Sequence, residues 1–570
     1  MSFIPLACKT QGSMGISQTK ASDLADFCVK YNLKSAGLCD IGNLSQCIAY
    51  YQAMTAAEKK PILGMQMRVC SKPACVHEDN PTDKRLVLIA KNKAGWKKLL
   101  ELSYASSHPA LFDGGNRLSI PEACEFITDD VIVICFSDLN QEELTMLKTS
   151  SKNLWCGINP IEGLTDNPLG LDIVPITPNY YLYPKGHEIN RAVISDKFGL
   201  KISDTDGHPA LGSKDYCMQG KALRTKFGFS AADLSNCERI FDQIEEFDIT
   251  NPPALPDFDC PDGMSQDEYL RRKCWEGFKR YGLQKNQSHI DQIKHELNVI
   301  KENGMAGYFL VVSDITDFCR KAGILYGFGR GSAGGSLISY TTGIIKLDPM
   351  NHHLLFERFY SADRGGLPDI DLDIQPSRRD DIVKYICDKY GESRFMQIST
   401  FGTLKGKAAI QCAMRVFNHN PELRNEISKA LPEEAKLDSQ LEEQEKQLGN
   451  RSSILYSLLH NKKFSKWCEL ETDKDGKFVF TGPLAKEFKL GIEINSIIKS
   501  RGRHASAFVL GREPLHHTIP VTRDDKNRSY ILDPEMNACE TAGGVKLDLL
   551  GLTLLDKYQY AKRKIRVSGL

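Results

Sequence analysis

The stretch Leu367-Pro-Asp-Ile-Asp-Leu-Asp-Ile374 places an aspartate at every second position. On a strand, successive side chains point to opposite faces, so Asp369, Asp371 and Asp373 share one face while Ile370, Leu372 and Ile374 pack the other. Neighbouring carboxylates in such a row lie about 6.7 Å apart, two residues of rise. Their repulsion is about 0.6 kcal/mol in water but roughly 2.5 kcal/mol at an effective dielectric of 20. A partly buried row is therefore unfavourable without a cation, and hard oxygen ligands with water positions to spare suit Mg²⁺. An edge strand with a solvated acidic face shows the same pattern, and a lone D-x-D is more often that.

Two further segments bear on the choice. Gly329-Arg-Gly-Ser-Ala-Gly-Gly-Ser336 lies between the strand-like ILYGF and the helix-like SLISYTTG. Glycines let the backbone approach an anion closely, and a helix N-terminus offers free N–H groups and a positive dipole end. Arg330 and Ser332 add charge and hydrogen-bonding capacity. Gly329, Gly331 and Gly334 also match G-x-G-x-x-G, with Asp348 nineteen residues after Gly329, so a dinucleotide site competes. Against it, IIKLDPM reads as a turn rather than the end of a second strand. A P-loop is excluded because no G-K-[ST] occurs here. The later segment Val545-Lys-Leu-Asp-Leu-Leu-Gly551 turns Lys546 and Asp548 one way and Leu547 and Leu549 the other. Asp548 and Lys546 could form a simple ion pair. If Asp548 instead joins Asp369 and Asp371, three carboxylates could hold two Mg²⁺, lowering the pKa of an attacking hydroxyl and neutralising charge on a phosphoryl group, with Lys546 on a phosphate.

The elements that must position these residues follow from periodicity. To about residue 250, amphipathic stretches such as ASDLADFCVKYNL and SQCIAYYQAMTAAEKK alternate with short apolar runs such as SAGLCDI, KPILGMQMRV and RLVLIA. That alternation indicates an α/β unit with a largely parallel sheet. ITNPPALPDFDCPDGMS, rich in proline and aspartate, reads as a linker. A helical region follows from about Gln266 to Ala322. After LPDIDLDI a helix opens at Ser377, where S-R-R-D has the form of a capping box. Residues from about 405 to 495 are helix-rich, and the run PEEAKLDSQLEEQEKQL reads as a solvated helix. Strand-like segments return at SAFVLG and VKLDLLG.

Composition sets outer bounds. At 570 residues the chain exceeds one hydrophobic core. Its start lacks a signal peptide, and nowhere do 18 apolar residues run without a charge, so no membrane partner and a cytoplasmic location are expected. The 18 cysteines are scattered without C-x-x-C, the pattern of reduced packing residues. Cys70, Cys75 and His77 lack a second half at zinc-ligand spacing. With 73 basic and 73 acidic residues the net charge is zero, so contact with nucleic acid must come from local patches. Two exist, Lys499, Arg501, Arg503 and His504, and then Lys557, Lys562, Arg563, Lys564 and Arg566; either also suits a solvated face.

A glycine-serine turn at a helix start, D-h-D on a strand and a third Asp on a later strand resemble the polymerase-beta-like nucleotidyltransferases. Longer strings are more specific. GYFLVVSDITDFCRKAGILYGFGRGSAGGSLISY, DPMNHHLLFERF, LPDIDLDI, QISTFGTLKGKAAI, GRHASAFVLG and VKLDLLGLTLL resemble, in order and spacing, the alpha subunit of bacterial DNA polymerase III, a C-family polymerase, over roughly residues 290–555. The resemblance implies a multidomain α/β layout: a PHP-type domain over 1–250, a linker over 251–265, a nucleotidyltransferase palm over 266–404 and 496–553, a helical thumb inserted over 405–495, and the start of fingers over 554–570. It implies a replicative DNA-directed DNA polymerase acting on primer–template DNA and dNTPs with two Mg²⁺ ions. Asp369, Asp371 and Asp548 would be the catalytic, metal-holding acids, and Arg330, Gly331 and Ser332 would hold the triphosphate with Lys546 nearby. Asp373 is not one of the family's three acids, and a structural role for His504 is as well supported as a catalytic one.

The chain departs from the family twice. Active PHP domains begin with a histidine-rich string, whereas Phe3-Ile-Pro-Leu-Ala-Cys-Lys-Thr10 has Pro5, Ala7 and Lys9 at the histidine places. Ile41, Gln66 and Tyr180 replace later ligands, leaving Asp40. A PHP fold without phosphoesterase or proofreading activity is expected, since ligands of the right number are missing. Family members also continue into fingers and DNA- and clamp-binding regions. Fingers supplied by a second polypeptide are thus one expectation, with the sliding clamp and other replisome proteins met through that absent region. The alternative is a non-catalytic scaffold or DNA-binding remnant of a polymerase.

Overall fold

In the computed structural model, hydrophobic alternation and amphipathic spacing become strands and helices largely where the sequence places them. Described are residues 3–71, 84–108, 116–161, 163–167, 170–177, 179–205, 220–360, 369–474, 476–524 and 526–567. The strands are β1 (Leu38–Ile41), β2 (Leu63–Cys70), β3 (Lys84–Ala90), β4 (Arg117–Ser119), β5 (Val131–Cys135), β6 (Leu154–Ile158), β7 (Ile173–Pro175), β8 (Asp371–Ile374), β9 (Phe395–Thr403), β10 (Glu469–Thr472), β11 (Phe478–Thr481), β12 (Ile498–Leu510), β13 (Val521–Asp524), β14 (Ser529–Leu532) and β15 (Val545–Gly551). The chain forms two compact units, one of residues 1–249, 400–502 and 522–529, the other of 250–399, 503–521 and 530–570.

In the first unit the sheet order is β1-β2-β3-β5-β6-β7, with β4 beside β2. The expected largely parallel sheet is mixed: β2–β3 and β3–β5 are antiparallel, while β1–β2, β2–β4, β5–β6 and β6–β7 are parallel. No described helix separates β2 from β3, and parallel pairing would need a crossover there. The amphipathic stretch after residue 20 forms the helix Ala21–Lys30, burying Ala21, Leu24, Phe27 and Cys28. The stretch 400–502 contributes helices and the β10–β11 hairpin. Its Ile410, Ala413 and Phe488 share a core with Ala192 and Val193 of the helix His187–Phe198. Asp196, on the same helix, receives Lys499 at 2.7 Å and also Arg415. The charged run is indeed a mostly exposed helix, Asp438–Leu448, held by Leu441 and Gln444.

The second unit sets the strand order β14-β9-β12-β15-β8 beside three long helices, Gln266–Tyr281, Gln287–Glu302 and Ala306–Lys321. Phe309, Leu310 and Ile315 from the last of these pack with Ile370, Leu372, Ile374, Leu547 and Leu549. That apolar layer orients β8 and β15, because it leaves their alternate residues one common side. The segment read as a linker is strapped to this unit: Asn251 N–H donates to Thr541 O at 3.0 Å and Ala254 N–H to Gly543 O at 3.2 Å.

Two local expectations fail. ILYGF forms no strand but a single antiparallel bridge, Tyr326 to Ile374. The helix after β8 runs Arg379–Tyr390 with Arg378 at its N-cap and no capping box. The Ser377 hydroxyl is drawn off to donate to Asp556 Oδ1 at 2.6 Å. Among the described residues no helix is long and apolar enough to cross a membrane. The described cysteines are free and mostly buried; Cys70 is buried, and Cys75 and His77 lie outside the described residues.

Candidate functional site

Parallel pairing of β8 with β15 places Asp371 directly opposite Asp548. Asp369 stands two residues before Asp371, just ahead of the strand. One oxygen from each of the three carboxylates lies within 4.8 Å of the others, and among the described residues this is the group of acids so arranged. The anchoring is apolar on one side and polar on the other. Ile370, Leu372 and Ile374 are buried. The Ile370 N–H donates to the hydroxyl of buried Tyr308 at 3.0 Å, which fixes the backbone between the first two acids.

Carboxylate repulsion at this cluster acts across the strand pair rather than along the row. Burial, then the neighbouring Asp548 carboxylate, raises the Asp371 pKa above the ordinary aspartate range. Asp548 Oδ1 is buried and accepts no hydrogen bond from the described residues, an orphaned acceptor whose cost a cation would offset. Lys546 bridges the row, its Nζ 3.3 Å from Asp369 Oδ2 and 2.9 Å from Asp548 Oδ2. Partial burial opposes its charge, yet the bond to Asp548 and the field of both acids hold its pKa above the usual lysine value. Asp369, Asp371 and Asp548 thus fit a divalent cation: three hard oxygen donors converge, one has no other partner, and a monovalent ammonium already leans on them.

The glycine turn lies beside the acidic cluster and is wired to it. Arg330 Nε lies 3.6 Å from Asp371 Oδ2 and its guanidinium 3.4 Å from Asp373 Oδ1. Gly331 has φ +62°, and a Cβ there would sit 3.7 Å from Asp371 Oδ2. Ser332 is exposed in the same turn. The helix that follows, Leu337–Thr341, does not offer its N-terminus to an anion. Glu296, buried on the helix Gln287–Glu302, accepts from Leu337 N–H, Ile338 N–H and the Ser336 hydroxyl, each at 3.0 Å. An internal carboxylate therefore occupies the donors that the sequence left free for phosphate.

The remaining candidates fall elsewhere. His504 Nδ1 accepts from Ser506 and Ala507 N–H at 3.2 and 2.9 Å, shaping β12. Lys499 is engaged by Asp196. Lys557, Lys562, Arg563 and Lys564 are exposed on the helix Thr553–Val567, and the side chain of Arg566 lies outside the described residues. Sequence reasoning missed Glu296, Tyr308 and Glu540. Burial, with Asp369 and Asp548 nearby, raises the Glu540 pKa, while Lys546 opposes that rise.

In the first unit, Asp40 is buried at the end of β1. Its Oδ1 accepts from Thr10 N–H at 2.6 Å, Ser13 N–H at 3.2 Å and the Ser13 hydroxyl at 2.7 Å, and its Oδ2 accepts from the Thr10 hydroxyl. Lys9, 2% exposed, stands at a place where the resemblance expects a metal-binding histidine. Burial raises the Asp40 pKa, against the Thr10 and Ser13 hydrogen bonds and the charge of Lys9.

Comparison with known proteins agrees with these two regions. Residues 6–149 match the PHP domain family, and residues 268–551 match the bacterial DNA polymerase III alpha NTPase domain. A PHP domain ahead of such a domain, in a multidomain α/β chain with a convergent aspartate cluster, defines a polymerase-type architecture. The chain belongs to the family of the alpha subunit of bacterial DNA polymerase III. It is 28% identical to that subunit from Borreliella burgdorferi, over 99% of this chain and 49% of the relative. It is 26% identical to the Mycobacterium tuberculosis subunit over 97% and 49%, and 27% identical to the Aquifex aeolicus subunit over 99% and 52%. The chain thus spans about half the length of the curated relatives it matches.

Two predictions follow from the wiring. Glu296→Ala strands two backbone donors and a hydroxyl in the interior and should cost roughly 2–5 kcal/mol, while Glu296→Gln, which keeps one acceptor oxygen, should cost less; urea unfolding midpoints of the full chain give the order. For Asp40, folding raises the pKa above its unfolded value of about 3.9, so between that pH and the raised folded value the unfolded chain holds fewer protons. Stability should therefore fall as pH rises from about 4 through the folded pKa. Asp40→Asn should remove that fall while its amide still pairs with the Thr10 hydroxyl. Parallel slopes of stability against pH in wild type and Asp40→Asn would contradict the assignment.

Proposed function

We propose that this chain carries the nucleotidyl-transfer centre of a replicative C-family DNA-directed DNA polymerase. The observation behind this reading is the register that sets Asp371 opposite Asp548 with Asp369 within 4.8 Å. On this reading residues 266–404 and 496–553 are the palm, 405–495 the thumb, 1–250 a PHP domain without hydrolytic activity, and 554–570 the start of fingers. Its ligands are primer–template DNA and dNTPs, its partners other replisome proteins, and its place the cytoplasm.

Asp369, Asp371 and Asp548 would hold two Mg²⁺, which when bound supply Lewis acidity at the primer hydroxyl and the triphosphate. The rest falls to the chain. Tyr308 and the apolar face of β8 keep the three carboxylates in place. Arg330, with the open backbone at Gly331 and the Ser332 hydroxyl, grips the triphosphate, and Lys546 meets a phosphate from the opposite side. The primer 3′-hydroxyl would lose its proton to solvent as its oxygen bonds to the α-phosphorus, the bond from that phosphorus to the bridging oxygen breaks, and pyrophosphate leaves. The alternative, a non-catalytic remnant, gains nothing from an intact and energetically costly acidic cluster.

Primer extension by the 570-residue chain with Mg²⁺ and dNTPs tests the proposal. Asp371→Asn should lower extension by roughly 10²–10³-fold or more, with primed-DNA binding retained. Extension unaffected by Asp371→Asn would refute the assignment. Primed DNA bound without extension by the unaltered chain would confine the carboxylates to binding.

A further inference from the structure

Glu296 is a buried acid held by neutral groups. Its side chain is fully buried on the helix Gln287–Glu302, and among the described residues it enters no ion pair. Its Oε1 accepts from Leu337 N–H and the Gln292 amide, and its Oε2 from the Ser336 hydroxyl and Ile338 N–H, all at 3.0 Å. The Ser336 oxygen itself accepts Ser339 N–H at 3.2 Å, so its proton is committed to Glu296. Four donors and no acceptor face the carboxyl, which selects the carboxylate over the acid. Burial raises its pKa, and these four bonds oppose that rise. Neutral dipoles solvate the charge but do not cancel its sign.

That charge lies behind the glycine turn. Gly331–Gly335 is a single 3₁₀ stretch, and Ser336, the first residue beyond it, bonds Glu296. Such a stretch rises about 2.0 Å per residue, which sets Ser336 about 8 Å from Ser332, roughly one screening length at physiological salt. Ala333 and Gly335 between them are buried, so salt screens the interval less than open water would. The exit of the turn is also closely packed: a Cβ on Gly335 would meet Leu355 O at 2.6 Å. Arg330 and the Glu296 carboxylate therefore flank one short segment with opposite charge.

We propose, on the assignment of Arg330, Gly331 and Ser332 to the triphosphate made above, that Glu296 is a positioning residue that limits how tightly the turn holds phosphate. Three of its hydrogen bonds fix the exit of the turn, and its charge opposes that of a polyphosphate lying on the turn. The consequence falls on product as well as substrate. Pyrophosphate left on the turn after transfer departs faster than it would with a neutral residue at this place.

The test is calorimetric titration of the full chain with inorganic tripolyphosphate at constant Mg²⁺, with Arg330→Ala identifying the uptake that belongs to the turn. Glu296→Gln should bind roughly three- to tenfold more tightly than wild type, although its urea midpoint falls. A merely structural role would weaken binding and stability together. Gln292→Lys, one helical turn away on a half-buried position, offers a cation to the same carboxylate with the turn untouched. It should also tighten uptake, and it decides the matter if Glu296→Gln does not fold. Glu296→Asp keeps the charge while disturbing the bonds and should not tighten. Folded Glu296→Gln or Gln292→Lys with equal or weaker uptake, or Glu296→Asp as tight as Glu296→Gln, would overturn the proposal and leave the turn's role standing. Wild-type uptake that is absent, or indifferent to Arg330→Ala, would overturn the assignment of the turn and this proposal with it.

Discussion

Two carboxylates held side by side by a parallel strand pairing are the constraint around which the second unit is arranged. The Asp371–Asp548 adjacency is not a side-chain choice: the hydrogen-bond register of β8 and β15 imposes it, and the buried leucines and isoleucines on the reverse face prevent a slip. Apolar burial on one side thus sustains electrostatic repulsion on the other. Tyr308 pins the strand's entry, Lys546 leans on the outer oxygens, and Arg330 reaches in from the glycine turn. Each of these contacts makes sense only because the acids are forced together.

The two units treat a buried aspartate differently. Around Asp40 the chain has filled the coordination sphere itself: two hydroxyls, two backbone N–H groups and the charge of Lys9 leave little for an added ion to do. Around Asp371 and Asp548 the protein supplies Arg330 to the first and Lys546 to the second, and leaves Asp548 Oδ1 unanswered. The first arrangement is closed and the second open, a difference read from hydrogen-bond satisfaction alone.

Much of this was legible in the sequence. The two-residue period of LPDIDLDI and VKLDLLG announced which side chains share a face, because that period is a local property of any strand. The pairing of those segments joins residues more than 170 positions apart and is decided by the whole core, so spacing could only allow it. The glycine turn was found, but not that Glu296, about forty residues upstream on an ordinary amphipathic helix, takes the N–H groups beyond it. ILYGF carried strand composition yet makes one bridge, and Ser377 had the spacing of a cap but a better partner in Asp556. The pairing of Arg68 on β2 with Arg85 on β3 and Arg117 on β4 was invisible for the same reason as the aspartate pair: lateral register is not written in any one segment.

The position of Arg330 carries a kinetic consequence. At rest it leans on Asp371 and Asp373, and Lys546 on Asp369 and Asp548. A triphosphate entering alone would have to strip both cations from their carboxylates and leave the acids facing one another. On the proposed reading, a triphosphate entering with its own counter-ions would make the event a swap, in which the aspartates would trade side-chain cations for metal and the freed side chains would trade carboxylate for phosphate. The number of ion contacts is then nearly conserved along the way. A centre so built would fill and empty by exchanging partners.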